Sequence, residues 1–65
     1  MIKVFFECNN EELGESELDV LPQYLDTVRL ERLEVYVKYA VMARVWVFSK
    51  NELPYVKIKL AKYND

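Results

Sequence analysis

The chain begins with a clean alternation. Ile2, Val4, Phe6 and Cys8 fall on one side of a period-two repeat, and Lys3, Phe5 and Glu7 on the other. β-Branched and aromatic residues in that period predict a strand over 2–8. Asn9-Asn10 ends it with turn chemistry. Residues 11–21 lose the alternation and are acidic. Ser16 followed by Asp19 has the form of a capping box. Pro22 is tolerated in a first helical turn and harmful deeper in. A helix is therefore expected from Leu21 or Pro22, with Leu21, Tyr24, Leu25, Val28 and Arg32 on one face. Asp26 near its start and Arg29 and Arg32 near its end suit the helix dipole. An earlier start at Glu17 would require a kink at Pro22.

From Leu33 to Ser49 there is no Gly, Pro, Asn or Asp. Odd positions run Leu33, Val35, Val37, Tyr39, Val41, Ala43, Val45 and Val47; even positions are mixed. Five Val and several aromatics favour a strand. The rival is a helix with Leu33, Val37, Ala40, Val41 and Arg44 in one stripe and a Glu34–Lys38 pair. A strand this long exceeds the usual three to about ten residues, so a bend or bulge is expected around Ala40 to Ala43, or an extension into a partner. Lys50-Asn51-Glu52-Leu53-Pro54 is a turn signal, and alternation resumes from Tyr55 to Tyr63. The last two strands should form a hairpin. The expected fold is α+β: one domain over 1–65, ordered β-α-β-β, with the helix packed on an antiparallel sheet.

Strict alternation would divide the sheet into two unlike faces. One is aliphatic: Ile2, Val4, Phe6, Val35, Val37, Val41, Val45, Val47, Val56, Ile58 and Leu60. The other is aromatic and basic: Lys3, Phe5, Tyr36, Lys38, Met42, Arg44, Trp46, Phe48, Tyr55, Lys57, Lys59 and Tyr63. One helix covers one face, so the second face is expected to be wet or covered by a partner.

Composition removes most chemistry. There is no His, one Cys and one Gly in 65 residues. Cys8 has no disulfide partner, the usual zinc sets are missing, and no base is available to activate Ser16, Thr27, Ser49 or Cys8. Gly14 stands outside any phosphate-loop or EF-hand spacing. No enzyme activity, metal or cofactor is expected. The longest mainly apolar stretch, Tyr39 to Phe48, contains Arg44 and is half the length of a spanning helix. With no secretory signal pattern and a lone thiol, a cytoplasmic location is expected.

The net charge of −2 hides a split. Residues 1–28 carry one Lys against seven acids, and residues 29–64 carry eight bases against three acids. The acidic segment Glu11, Glu12, Glu15, Glu17 and Asp19 reads as a solvated loop or as an element that docks on a basic face of the same or a neighbouring chain. Trp, Tyr, Arg and Met are the types that anchor interfaces. The leading expectation is a non-catalytic protein-binding module, homodimeric, that regulates or inhibits a partner through Tyr36, Met42, Arg44, Trp46 and Phe48. These traits are common among small accessory proteins of phages and mobile elements. A second reading is single-stranded nucleic-acid binding through Tyr36, Lys38, Arg44, Trp46, Tyr55, Lys57 and Lys59, where bases would stack and cations meet phosphates. A third is a structural subunit of a larger assembly.

Overall fold

Two tight turns in left-handed backbone organise the chain. Asn9 and Asn10 (φ 53° and 65°) join strand β1 (Ile2–Cys8) to β2 (Glu11–Leu18), and Leu33 and Glu34 (φ 52° and 67°) join β3 (Thr27–Arg32) to β4 (Val35–Ser49). Positive φ at both central residues is what a two-residue hairpin needs to match the right-handed twist of its strands. A third turn at Lys50-Asn51 leads into β5 (Glu52–Lys62). The computed structural model describes residues 1–63. It is all-β, a single five-stranded sheet curled into a half-barrel, with 74% of residues in strands.

The strand order is β2-β1-β5-β4-β3. Neighbours are antiparallel except β1 and β5, which run parallel from Lys3↔Tyr55 to Glu7↔Lys59. The chain therefore makes one hairpin, crosses over, makes a three-strand meander, and returns its last strand beside its first. The crossover is the segment 19–26. It is held down by hydrogen bonds from Leu25 N–H to the Val41 carbonyl (2.8 Å) and from Val41 N–H to the Asp26 carbonyl (2.9 Å). A small turn inside it is closed by Gln23 N–H donating to Asp26 Oδ2 at 2.7 Å.

This overturns the α+β expectation. There is no helix among the described residues, hence none long and apolar enough to cross a membrane. The stripe Leu21, Tyr24, Leu25 and Val28 divides between the crossover and β3. Val28 and Leu30 instead face the core at period two, paired with Tyr39 and Val37. A lone helix of this length is marginal in water, whereas β4 offers a full ladder to a segment that holds Thr27 and Val28. The acidic residues Glu11 to Glu17 are not a loop either. They form β2, the outer edge strand beside β1.

The core lies on the inner face of the curl. Val4, Phe6, Tyr39, Val41, Val56, Ile58 and Leu60 are buried, and Leu21 from the crossover packs against them with Cys8, Leu13, Leu18, Val28, Leu30 and Val37. Four of the seven (Val4, Val41, Val56 and Ile58) have no solvent contact at all. Curling takes the place of the expected helix as cover. The core is small, as it must be for a chain of this size.

Candidate functional site: the β4–β5 arm

The hairpin of β4 and β5 and the long bent strand are present; the turn expected over Lys50–Pro54 is confined to Lys50-Asn51, and Glu52, Leu53 and Pro54 already belong to β5. The bend falls at Met42, which has no partner on β5: Val41 faces Leu60 and Ala43 faces Lys59. One extra residue in a strand reverses its alternation beyond that point. Past the bulge Arg44 lies opposite Ile58 and Trp46 opposite Val56, while Val45 and Val47 lie opposite Lys57 and Tyr55. Arg44 and Trp46 thus share the inner face with the core residues. Val45 and Val47 stand on the outer face. Both pairs are the reverse of what strict alternation predicts.

This separates the candidate residues. Of the protein-binding set, Arg44, Trp46 and Phe48 come together on the inner side of the arm. Trp46 and Phe48 stack with ring centroids 6.3 Å apart and planes 15° apart. They are 48% and 74% exposed, so the stack is largely offered to solvent. Met42 sits in the bulge beside them and is exposed. Tyr36 does not join them. It lies near the β3–β4 turn under the Arg29 guanidinium, 5.8 Å from ring centre to Cζ. Of the nucleic-acid set, Tyr36, Lys38, Tyr55, Lys57 and Lys59 occupy the outer face and Arg44 and Trp46 the inner one.

Acids occupy the same outer face as those lysines. Glu17 pairs with Lys3, which neighbours Tyr55; Glu15 pairs with Phe5, which neighbours Lys57; Glu7 neighbours Lys59. Lys3 Nζ reaches Glu15 Oε2 at 3.6 Å and also lies 5.4 Å from the Phe5 ring centre. Phe5 meets Tyr55 edge-on at 5.1 Å. The acidic segment is an edge strand bonded to β1, with Glu12, Glu15 and Glu17 on the same sheet face as the lysines of β5 rather than docked over them. An open trough of about 800 Å³ runs along this face, lined by Lys3, Phe5, Glu7, Tyr55 and Lys57 among others. Its charges are interleaved rather than of one sign. Among the described residues no cluster of three or more His, Cys, Asp or Glu side chains is placed to hold a metal ion.

The arm has a second feature, carried by its backbone. β3 pairs with β4 only from Val35 to Ala40, and the crossover adds the two hydrogen bonds to Val41. From Met42 to Phe48 β4 has β5 on one side and, among the described residues, no strand on the other. Val41 turns its N–H and C=O toward β3. Counting through the extra residue, Arg44 and Trp46 are the next to point that way, outward from the sheet. The excess length of the 33–49 run was the sequence's one hint of this edge, and where the edge begins depends on where β3 ends. No protein-family model matches the sequence, and searches of curated proteins and of solved structures find no match either.

Proposed function

We propose that the chain is a non-catalytic protein-binding module, a regulator or inhibitor of a partner protein, and that the β4–β5 arm is its contact element. The observation that carries this reading is the stacked, solvent-facing Trp46–Phe48 pair beside Arg44, on an arm with an open strand edge. Large aromatic and Arg side chains grouped in this way are the residue types that supply most binding energy at protein interfaces. Contiguous exposed apolar surface of this kind is a recognised mark of interaction sites. A reducing compartment such as the cytoplasm suits the free thiol of Cys8.

The single-stranded nucleic-acid reading draws less support. It needs aromatic and basic residues on one surface, and the bulge distributes them over two, with the acids of β1 and β2 beside the lysines. The test is affinity capture from the native host followed by mass spectrometry. The double variant Trp46→Ala/Phe48→Ala is expected to lose the captured partner. Tyr36→Ala, at the far end of β4, is expected to keep it. Retention of the same partner by the double variant would sink the reading.

A further inference from the structure

We infer that the open edge of β4 takes a second copy of the same chain, strand to strand and antiparallel, with the two-fold axis at Trp46. The inference rests on the reading of the arm as the contact element and names what occupies its edge.

The backbone supplies the first argument. An edge strand presents unpaired N–H and C=O groups, and monomeric proteins blunt such edges with Lys, Pro, inward charges or short length. Met42 to Phe48 is bounded by the bulge at Met42 and carries one inward charge, but it is seven residues long and holds neither Lys nor Pro. Its only charge is Arg44, and its remaining residues are Met, Ala, Val, Trp, Val and Phe. The one Pro nearby, Pro54, is on β5.

The side chains supply the second. A two-fold pairing keeps each face on its own side, so residue i meets a residue of equal parity in the second copy. With the axis at Trp46, Trp46 meets Trp46, and Arg44 of each copy meets Phe48 of the other on the inner face. On the outer face Val45 meets Val47. These central pairs are aromatic with aromatic, aliphatic with aliphatic, or a guanidinium over a ring, all favourable across strands. Among the described residues Arg44 has no ion pair or ring contact within its own chain. Moving the axis to Arg44 sets two guanidinium groups opposite one another. Moving it to Val45 sets Lys50 opposite Ala40, which already pairs with Thr27 of β3. The Trp46 register has neither conflict: its ladder ends with Lys50 opposite Met42, short of the crossover at Val41.

The third argument is need. The seven buried residues among those described make a small core, and domains of this size without disulfide or metal commonly gain stability by association. Pairing would join two half-barrel sheets into one ten-stranded sheet. It would also bring both Trp46–Phe48 stacks into one continuous inner surface.

The experiment is sedimentation equilibrium of the purified chain over a micromolar range, combined with oxidative cross-linking. Val45 and Val47 of opposite copies form a non-hydrogen-bonded pair, whose Cα separation of about 4.5 Å suits a disulfide. A mixture of Val45→Cys and Val47→Cys proteins should therefore cross-link, while each alone, and the wild type with Cys8 only, should not. Trp46→Lys, which sets two cations on the axis, should weaken dimerisation by at least about tenfold. A monomeric mass across the range would overturn the inference. So would cross-linking of Val45→Cys alone as efficient as that of the mixture, since it would place the axis at Val45. A chain that is monomeric yet loses its partner in Trp46→Ala/Phe48→Ala removes the dimer and keeps the proposed function. A dimer whose partner survives that double variant does the reverse.

Discussion

Met42 decides what the arm displays. The sequence pattern from Leu33 to Ser49 is regular, and nothing in residue type distinguishes Met42 from its neighbours as the unpaired one. Yet it alone places Trp46 above the core side of β5 and moves two valines to the solvent side. The residues that bear the fold's stability sit on the strands it connects. Ile58 has no solvent contact, lies opposite Arg44 on β4 and beside Phe6 on β1, and is at the centre of the curl. Ile58→Ala removes three buried carbon atoms and leaves a cavity between three strands. Such truncations cost about 2–5 kcal/mol, against a total of only about 5 kcal/mol at the low end for folded domains. The variant should retain at most about 3 kcal/mol of stability, and urea denaturation followed by circular dichroism would show a strongly lowered midpoint. A midpoint within experimental error of the wild type would contradict the assignment of Ile58 to the core.

The turns show why some elements were legible and others were not. Asn9-Asn10 carries the residue types that tolerate positive φ, and the strand before it was clear from Ile2 to Cys8. A hairpin could have been read there. It was obscured because β2 has acids on both faces and Gly14 in the middle, so that no apolar alternation announces it. Gly14 adds to this: nothing lies within 4 Å of where its Cβ would be, so the inner side of β2 is open beside Phe6. The Leu33-Glu34 turn gave no signal at all. Neither residue favours left-handed backbone, and Leu33 is 98% exposed. The register of β3 against β4 imposes this conformation, and the helix reading of residues 21–32 survived for want of a visible turn. Left-handed backbone at a residue with a Cβ costs about 1–2 kcal/mol. Leu33→Asn/Glu34→Gly should therefore stabilise the chain by about 1–2 kcal/mol in chemical denaturation, with the fold unchanged. A loss of stability would mean that the turn is not of this type.

At the scale of the molecule the charge split along the sequence is largely undone in space. β2 and β5, acidic and basic, are separated only by β1, and their charges face the same way. The acid–base asymmetry of the two halves is a property of chain order, and the parallel pairing of first and last strands brings the halves together. A polyanion approaching the lysines of the outer face meets Glu7, Glu12, Glu15 and Glu17 as well. Binding of a random single-stranded oligonucleotide is accordingly expected to be absent at low salt, read as unchanged fluorescence anisotropy of a labelled oligonucleotide at micromolar protein. An anisotropy rise that declines steeply with added salt, the mark of counterion release, would restore the nucleic-acid reading.

The pairing of β1 with β5 also governs how the chain reaches its fold. Lys3 and Tyr55 are neighbours across the ladder although nearly the whole sequence separates them. The β1–β2 and β4–β5 hairpins can each close locally and fast, but neither buries Val4 or Ile58 on its own. The central contact forms only when the ends of the chain meet, and contacts of such long range slow folding. Until then β1 has a vacant side, and both halves expose the apolar residues they will later share. The last dozen residues complete the sheet for the first dozen. Shortening the chain at its C-terminal end would strand its N-terminal half without a core.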